Sequence, residues 1–337
     1  MKKRFVLSGY FGFKNFGDEA ILSVLIARLK SKKAGITVIS SDTQYTKSLY
    51  RHICAVPTFD FNNIIPAIYK SDILISGGGS LLQDVTSLKS LIYYLLIIFI
   101  ALFFGKKVII FAQGIGPIKS PLGRFFTKLL LQNCTYVSVR DKKSHELLQN
   151  WEIKSDLLCD PIFSLNIDKT QKEKKVSVQL RDCKGMNMDF LDRLADEVNK
   201  NFTDYNIEIY SFQDSIDLEI CKKFEQNLRM LNPDIKTTLY SGLTNSEITQ
   251  HLSKSEYLIS MRFHAIIVGL LAGTKTLGIN YDIKVEKLAK EFDLPIIDLK
   301  NDFSDSFSQL KAQDLSKTAE KISEINFDWS GFDAAVI

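Results

Sequence analysis

A chain of 337 residues, 45% hydrophobic and 24% charged, has the make-up of a globular protein long enough for two ordinary domains, which excludes a fibrous or disordered chain. The net charge of +4 is small and the lysines are dispersed except for pairs such as Lys174-Lys175 and Lys222-Lys223, so charge gives no pointer to nucleic acid. Cys54, Cys134, Cys159, Cys183 and Cys221 are widely spaced, without a CxxC pair or a histidine at zinc-ligand spacing; they read as reduced, mostly buried thiols of a cytoplasmic protein, and no metal is expected.

Met1-Lys2-Lys3-Arg4 leads into Phe5-Val6-Leu7, an apolar run that stops before Gly9 and is too short for a secretory leader. It reads as the first strand. The loop from Ser8 to Glu19 follows and opens a helix over Ala20 to Lys30. Its glycines allow close backbone approach, but their spacing is not GxGxxG, and Asp18-Glu19 would repel a phosphate at a helix start. Asp18 has two readings of equal weight: a helix N-cap, or a carboxylate that orients a sugar hydroxyl or takes its proton.

Further strands are expected at Ile36 to Ile39, Ile73 to Ile75, Val108 to Phe111 and Tyr136 to Val139, with helices between. After Ile73 to Ile75 come Gly77, Gly78 and Gly79, whose N–H groups could form a nest for an anion or polar ligand, and then Gln83 and Asp84. Gln113-Gly114 and Arg140-Asp141 follow the next two strands. Neighbours in sequence seldom face one another, so Arg140 is expected to point into a cleft rather than pair with Asp141. The uncharged run Leu91 to Phe104 is shorter than the ~20 residues of a membrane span. It reads as a buried helix, with contact to a membrane surface or partner subunit as the lesser alternative.

The Lys-rich stretch Asp168 to Lys175 marks a boundary between domains 1–168 and 169–337. The second half repeats the pattern, with strands at Val176 to Leu180, Ile207 to Tyr210, Thr237 to Tyr240, Tyr257 to Ile259 and Thr276 to Ile279, and a helix over Phe190 to Asn199. The expected fold class is α/β, two Rossmann-like domains facing across a cleft, with ligands at the carboxyl ends of the strands. Arg262 and His264 sit where a buried strand ends and an apolar helix begins. On their own they read as an arginine capping a carbonyl and a histidine satisfied in the core, and alternatively as an anion site. Lys284, at a helix start, opposes the helix dipole and suggests an anionic ligand. Arg181 is ambiguous, and His52, His145 and His251 read as surface residues.

Taken in order, Gly9-Tyr10-Phe11-Gly12 with Asn15-Phe16-Gly17-Asp18-Glu19, Ser76-Gly77-Gly78-Gly79-Ser80-Leu81-Leu82-Gln83-Asp84, Gln113-Gly114-Ile115-Gly116-Pro117, Ser138-Val139-Arg140-Asp141 and Met261-Arg262-Phe263-His264-Ala265 resemble the polysaccharide pyruvyltransferase family. The stretch Gln83 to Ser87 leading to Tyr93-Tyr94 is most similar to its CsaB-type branch, which pyruvylates N-acetylmannosamine units of bacterial secondary cell-wall polymers. The resemblance implies a GT-B-like architecture, phosphoenolpyruvate as donor and a ketal formed across two sugar hydroxyls. No further cofactor is expected, the acceptor is expected to be a lipid-linked or polymeric saccharide, and the location is expected to be cytoplasmic, with the inner face of the membrane as an alternative. The resemblance also implies Arg140, His264 and Lys284 for the donor and Asp18 near the acceptor. Ile283 departs from the family's usual proline, and Arg181 lacks the Pro-Trp that often follows it. Phosphoenolpyruvate carries a carboxylate and a phosphate, so Arg262 is added to the donor cations, with His264 as acid and Asp18 as base. The rival readings are a GT-B-type glycosyltransferase using a nucleotide sugar and a non-catalytic polysaccharide-binding protein.

Overall fold

The computed structural model describes residues 3–32, 34–168, 170–300 and 303–337. Contacts divide the chain into two compact units, Met1–Ser164 with Asn326–Ile337, and Leu165–Ile325. Lys169, where the second domain was expected to begin, lies outside the described residues. The terminal segment Asn326–Ile337, expected with the second half, packs in the first unit.

The first unit holds strands β1 (Arg4–Ser8), β2 (Gly35–Ser40), β3 (Cys54–Pro57), β4 (Ile73–Gly77), β5 (Lys107–Gln113), β6 (Tyr136–Val139) and β7 (Asp156–Leu157), hydrogen-bonded in the order β3-β2-β1-β4-β5-β6-β7. The second holds β8 (Glu173–Gln179), β9 (Asn206–Tyr210), β10 (Thr237–Tyr240), β11 (Ser255–Ser260), β12 (Lys275–Asn280) and β13 (Ile296–Asp298), in the order β10-β9-β8-β11-β12-β13. All described pairings are parallel, and each sheet reverses its winding once, at β1/β4 and at β8/β11. These are two Rossmann-like sheets with flanking helices, the expected α/β class.

The inner strands were legible because they are buried on both faces and read as apolar runs; Leu74, Ile75, Val108, Ile109, Leu258 and Ile259 are all at most 1% exposed. The strands β3, β7 and β13 were not expected. They lie at sheet edges, where half-exposed residues such as those of Cys54–Pro57 lack that pattern. The polar stretch read as a boundary is partly built into the second unit. Lys172 Nζ donates to Ser253 O and Ala272 O at 2.8 Å and to Thr274 Oγ1 at 2.7 Å, and β8 starts at Glu173.

On one face of the first sheet, alternate strand residues such as Val6, Leu74, Val108 and Val137 share a core with helices Phe61–Lys70, Leu88–Phe103 and Pro121–Leu131. The helix Leu88–Phe103 corrects the buried-helix reading. Leu91, Tyr94, Ile97, Ile98 and Ala101 are buried, whereas Ile92 and Phe99 are more than half exposed. An all-apolar sequence does not say which side the sheet will cover. The cysteines are free, with Cys221 buried, Cys134, Cys159 and Cys183 half-buried and Cys54 exposed, a less buried set than expected. His251 also departs from a surface reading, because its ring packs 4.7 Å from that of Tyr240.

The returning segment is held by aromatic packing. Phe111 on β5 meets Phe332 at 5.1 Å and stacks on Trp329 at 5.4 Å, while Phe332 is fully buried. Arg28 adds an ion pair to Asp333 and lies 4.9 Å over the Trp329 ring. Truncation of Phe332 removes the central contact, so Phe332→Ala is expected to cost about 3–5 kcal/mol in urea unfolding followed by tryptophan fluorescence.

Candidate functional site

In the first unit the helix after β1 begins earlier than the sequence suggested, at Phe16, because Asn15 is its N-cap and accepts from Gly17 N at 3.2 Å. Asp18 is therefore not the cap. It sits in the first turn, and its carboxylate meets the glycine loop after β4: a Cβ on Gly79 would lie 2.8 Å from Asp18 Oδ1. Gly79 has φ +64 and Gly78 φ +80, the region that disfavours L side chains. The three glycines thus serve separate needs, since a Cβ on Gly77 would strike Leu25 Cδ1 at 2.7 Å. Gly78 N donates to Phe111 O at 3.3 Å, so that N–H faces the sheet rather than a ligand.

The loops after β4, β5 and β6 are tied to one another. Gly114 N donates to Gly79 O at 3.0 Å, and a Cβ on Gly114 would lie 2.6 Å from Ser80 Oγ and 3.4 Å from Asp141 Oδ2. Gln113 is buried and donates to Ser76 Oγ at 2.8 Å, while its Oε1 has no hydrogen-bond partner among the described residues. Gln83 Oε1 accepts from Val85 N at 2.7 Å and Thr86 N at 3.1 Å, shaping its own turn. Asp84 accepts from Lys119 N and Ser120 N, both at 2.7 Å, and these bonds hold its carboxyl below the usual range. Gln83 and Asp84 thus order loops, and what the structure brings together around Asp18 is Gly79 and the carboxyl ends of β1 and β4, the switch point of the sheet.

Three groups there, Glu19, Tyr10 and Tyr94, were missed as site residues. Glu19 is 1% exposed and accepts from Gly12 N at 2.6 Å, and its Oε2 is buried without a hydrogen-bond partner among the described residues. Burial pushes its carboxyl from 4.5 up to about 7, with a contribution from Asp18. Tyr10 and Tyr94 are also raised, first by burial and then by the charge of Asp18, which places both phenols in its field. Only the acidic pair itself signalled Glu19.

Arg140 follows β6 and pairs with Asp160, not Asp141; their side chains are 10% and 3% exposed. Asp141 caps the next helix, accepting from Ser144 N at 2.9 Å. Asp160 also accepts from Ile162 N at 3.1 Å, so the guanidinium is held by a carboxylate that is itself held.

In the second unit Arg262 occupies the N-cap of helix Phe263–Leu271, without a side-chain cap bond, beside the β8/β11 switch point. Its Nη2 donates to both carboxylate oxygens of Asp217 at 2.8 Å, and its Nε is buried without an acceptor among the described residues. Much of the charge expected to hold a donor is therefore matched internally. Burial raises the Asp217 carboxyl and the Arg262 charge opposes the rise. The signal for this pair was a carboxylate on an apolar stripe, Asp217 with Ile220, Cys221, Phe224 and Leu228.

His264 is half-buried in the first turn of that helix, with its ring 5.1 Å from that of Phe263. It is not enclosed in the core. Arg181, at the end of β8, is half-buried 5.9 Å from the Tyr281 ring centre. Burial raises the Tyr281 phenol while Arg181 and Arg262 lower it, so these cations share one neighbourhood. Lys284 is exposed in the first turn of helix Ile283–Glu291, where its N–H donates to the N-cap Asp282 at 2.9 Å. Among the described residues no group of three or more His, Cys, Asp or Glu could hold a metal ion.

Two expected outcomes follow from the buried carboxyls. Glu19 binds its proton more tightly in the folded state, so stability falls as pH rises from 4.5 to about 7. That shift is worth on the order of 3 kcal/mol, and Glu19→Gln should flatten the difference between urea unfolding at pH 5 and pH 8. Asp217→Ala leaves Arg262 buried and uncompensated, and should cost about 3–5 kcal/mol in unfolding followed by circular dichroism.

The family model described as polysaccharide pyruvyl transferase matches residues 15–283. Comparison with curated proteins finds no match. Among solved structures, the chain is similar to UDP-GlcNAc 2-epimerase from Methanocaldococcus jannaschii, with TM-score 0.63 and 11% identity over 97% of this chain and 94% of that one. It is similar to UDP-GlcNAc 2-epimerase from Neisseria meningitidis bound to UDP-GlcNAc, with TM-score 0.62 and 12% identity over 99% and 97%. A glycosyltransferase from Rickettsia africae gives TM-score 0.60 and 14% identity over 96% and 94%. At such identities the likeness is one of fold, of the GT-B-like kind.

Proposed function

Because the chain belongs to the polysaccharide pyruvyl transferase family, we propose that it moves the pyruvyl group of phosphoenolpyruvate onto a saccharide and closes a ketal across two hydroxyls. The observation that carries this reading is the family match, which spans Asp18, Arg140, Arg262 and His264 and ends at Ile283, one residue before Lys284. The acceptor is a lipid-linked or polymeric cell-wall or exopolysaccharide sugar, with N-acetylmannosamine as the first to try. The protein works in the cytoplasm, and phosphoenolpyruvate is the only small molecule it needs.

The donor residues of the second unit are His264, Lys284 and Arg262. His264 lies in the first turn of a helix whose N-cap has no side-chain bond, where backbone N–H groups and the dipole favour an anion. Arg262 holds Asp217 through one nitrogen and keeps further N–H donors, and Arg140 likewise exceeds what Asp160 takes up. An acid protonates the methylene carbon C3, making the methyl group, and an acceptor hydroxyl adds to C2 as its proton leaves. Phosphate departs with the electrons of its C–O bond, and the second hydroxyl attacks C2 to close the ketal as its proton passes to the released phosphate. Imidazole exchanges protons near neutral pH, so His264 is the acid, and Asp18 is the base on the acceptor hydroxyl.

His264→Gln keeps a hydrogen-bonding side chain but cannot act as the acid. Turnover, measured as phosphate release with gain of one pyruvyl ketal in acceptor mass, should fall about 10²- to 10⁴-fold, with a smaller loss in equilibrium binding of phosphoenolpyruvate. Near-normal turnover would remove His264 as the acid. Transfer from a nucleotide sugar, with none from phosphoenolpyruvate, would replace the whole reading by a glycosyltransferase.

A further inference from the structure

The outer side of the first unit's helical layer is both apolar and basic. Helices Phe61–Lys70, Leu88–Phe103 and Pro121–Leu131 lie side by side on one sheet face and share the core beneath them. On the middle helix Leu88, Ile92, Leu96, Phe99 and Phe103 form a stripe that points away from that core, with Phe99 51% and Phe103 73% exposed. On its neighbour Leu122, Phe125, Phe126 and Leu129 recur at the same kind of spacing, with Leu122 70% and Phe125 60% exposed. Tyr69, 62% exposed, extends the surface on the third helix. Single exposed apolar residues are ordinary, but stripes on adjacent helices make one continuous patch.

The charges on this layer have one sign. Its helices carry Lys70, Lys89, Arg124 and Lys128 and no Asp or Glu, and Lys106 follows with its Nζ 5.5 Å over the Tyr69 ring. Elsewhere the solvent faces are mixed: helix Met188–Asn201 alone carries Asp189, Asp192, Asp196 and Glu197 beside Arg193 and Lys200. A second copy docking through this patch about a two-fold axis would set these cations against themselves, with no carboxylate within the three helices to pair them; Asp60 and Asp84 at the helix starts are already bonded to Asn63 and to the Lys119 and Ser120 N–H groups. A bilayer surface offers apolar depth and negative headgroups together. Among the described residues no helix is long and apolar enough to cross a membrane, so the layer would lie on the lipid rather than span it.

We propose that this helical face docks on a bilayer surface containing anionic lipid. The proposal is independent of the donor chemistry. Full-length protein should co-sediment with vesicles of phosphatidylcholine and phosphatidylglycerol, more than with phosphatidylcholine alone, and less as salt is raised. The combined variant Phe99→Ser, Phe103→Ser, Phe125→Ser should lose about tenfold or more of that binding, and Lys89→Glu with Arg124→Glu should lose the preference for phosphatidylglycerol. Both should keep wild-type activity on a water-soluble acceptor. If the combined variant melts early, Phe103→Ser alone carries the test. Equal binding of the wild type to both vesicles, or variants that sediment like the wild type, would overturn the proposal. So would a wild-type dimer in analytical ultracentrifugation that Phe103→Ser dissociates without change in vesicle binding, which assigns the face to a second copy.

Discussion

A parallel strand cannot be joined to its neighbour by a tight turn, so each strand must send the chain out at its carboxyl end and bring it back through a helix. Where the winding reverses, at β1/β4 and β8/β11, adjacent loops leave in opposite directions and open a place for polar groups. The residues that draw attention on chemical grounds follow from that constraint. Asp18 and Gly79 belong to the first reversal, and Arg181, Arg262 and His264 to the second. The helices entered there, Phe16–Lys30 and Phe263–Leu271, are apolar and largely buried. Their N-termini are therefore fixed by packing rather than by solvent-exposed turns.

Both buried arginines are matched by an aspartate from a distant part of the chain. An isolated guanidinium inside either unit would pay a desolvation cost of several kcal/mol, more than a surface ion pair returns, so the partner carboxylate is needed for the charge to be there at all. Arg140–Asp160 and Arg262–Asp217 thus set the orientation of two cations before any ligand arrives. Each guanidinium is thereby held in place within its own unit, and little side-chain entropy remains in it to be lost.

Fold and family speak to different questions. The structural likenesses are proteins whose names refer to UDP-sugar epimerisation and glycosyl transfer, at 11% to 14% identity, and one architecture hosts many chemistries. The family match covers residues 15–283, strands and loops alike, and it is the match rather than the architecture that separates this chain from those proteins.

The sequence by itself determined the α/β class, the inner strands and the positions of the candidate groups, because strands buried on both faces must be apolar and because glycine and charge at strand ends stand out against them. Edge strands such as Cys54–Pro57 escaped, since solvent on one side removes the pattern. The helix start at Phe16 escaped too, because Asn15 rather than Asp18 supplies the cap. Only the tertiary structure decided which charges meet: Arg140 finds Asp160 twenty residues away and Arg262 finds Asp217 forty-five away, separations no local pattern encodes. It also decided that Glu19 is enclosed while Asp18 lies against Gly79, and that Phe99 and Phe103 face out. An all-apolar helix and an acidic pair are compatible with either arrangement, and the choice is made by the neighbours that pack against them.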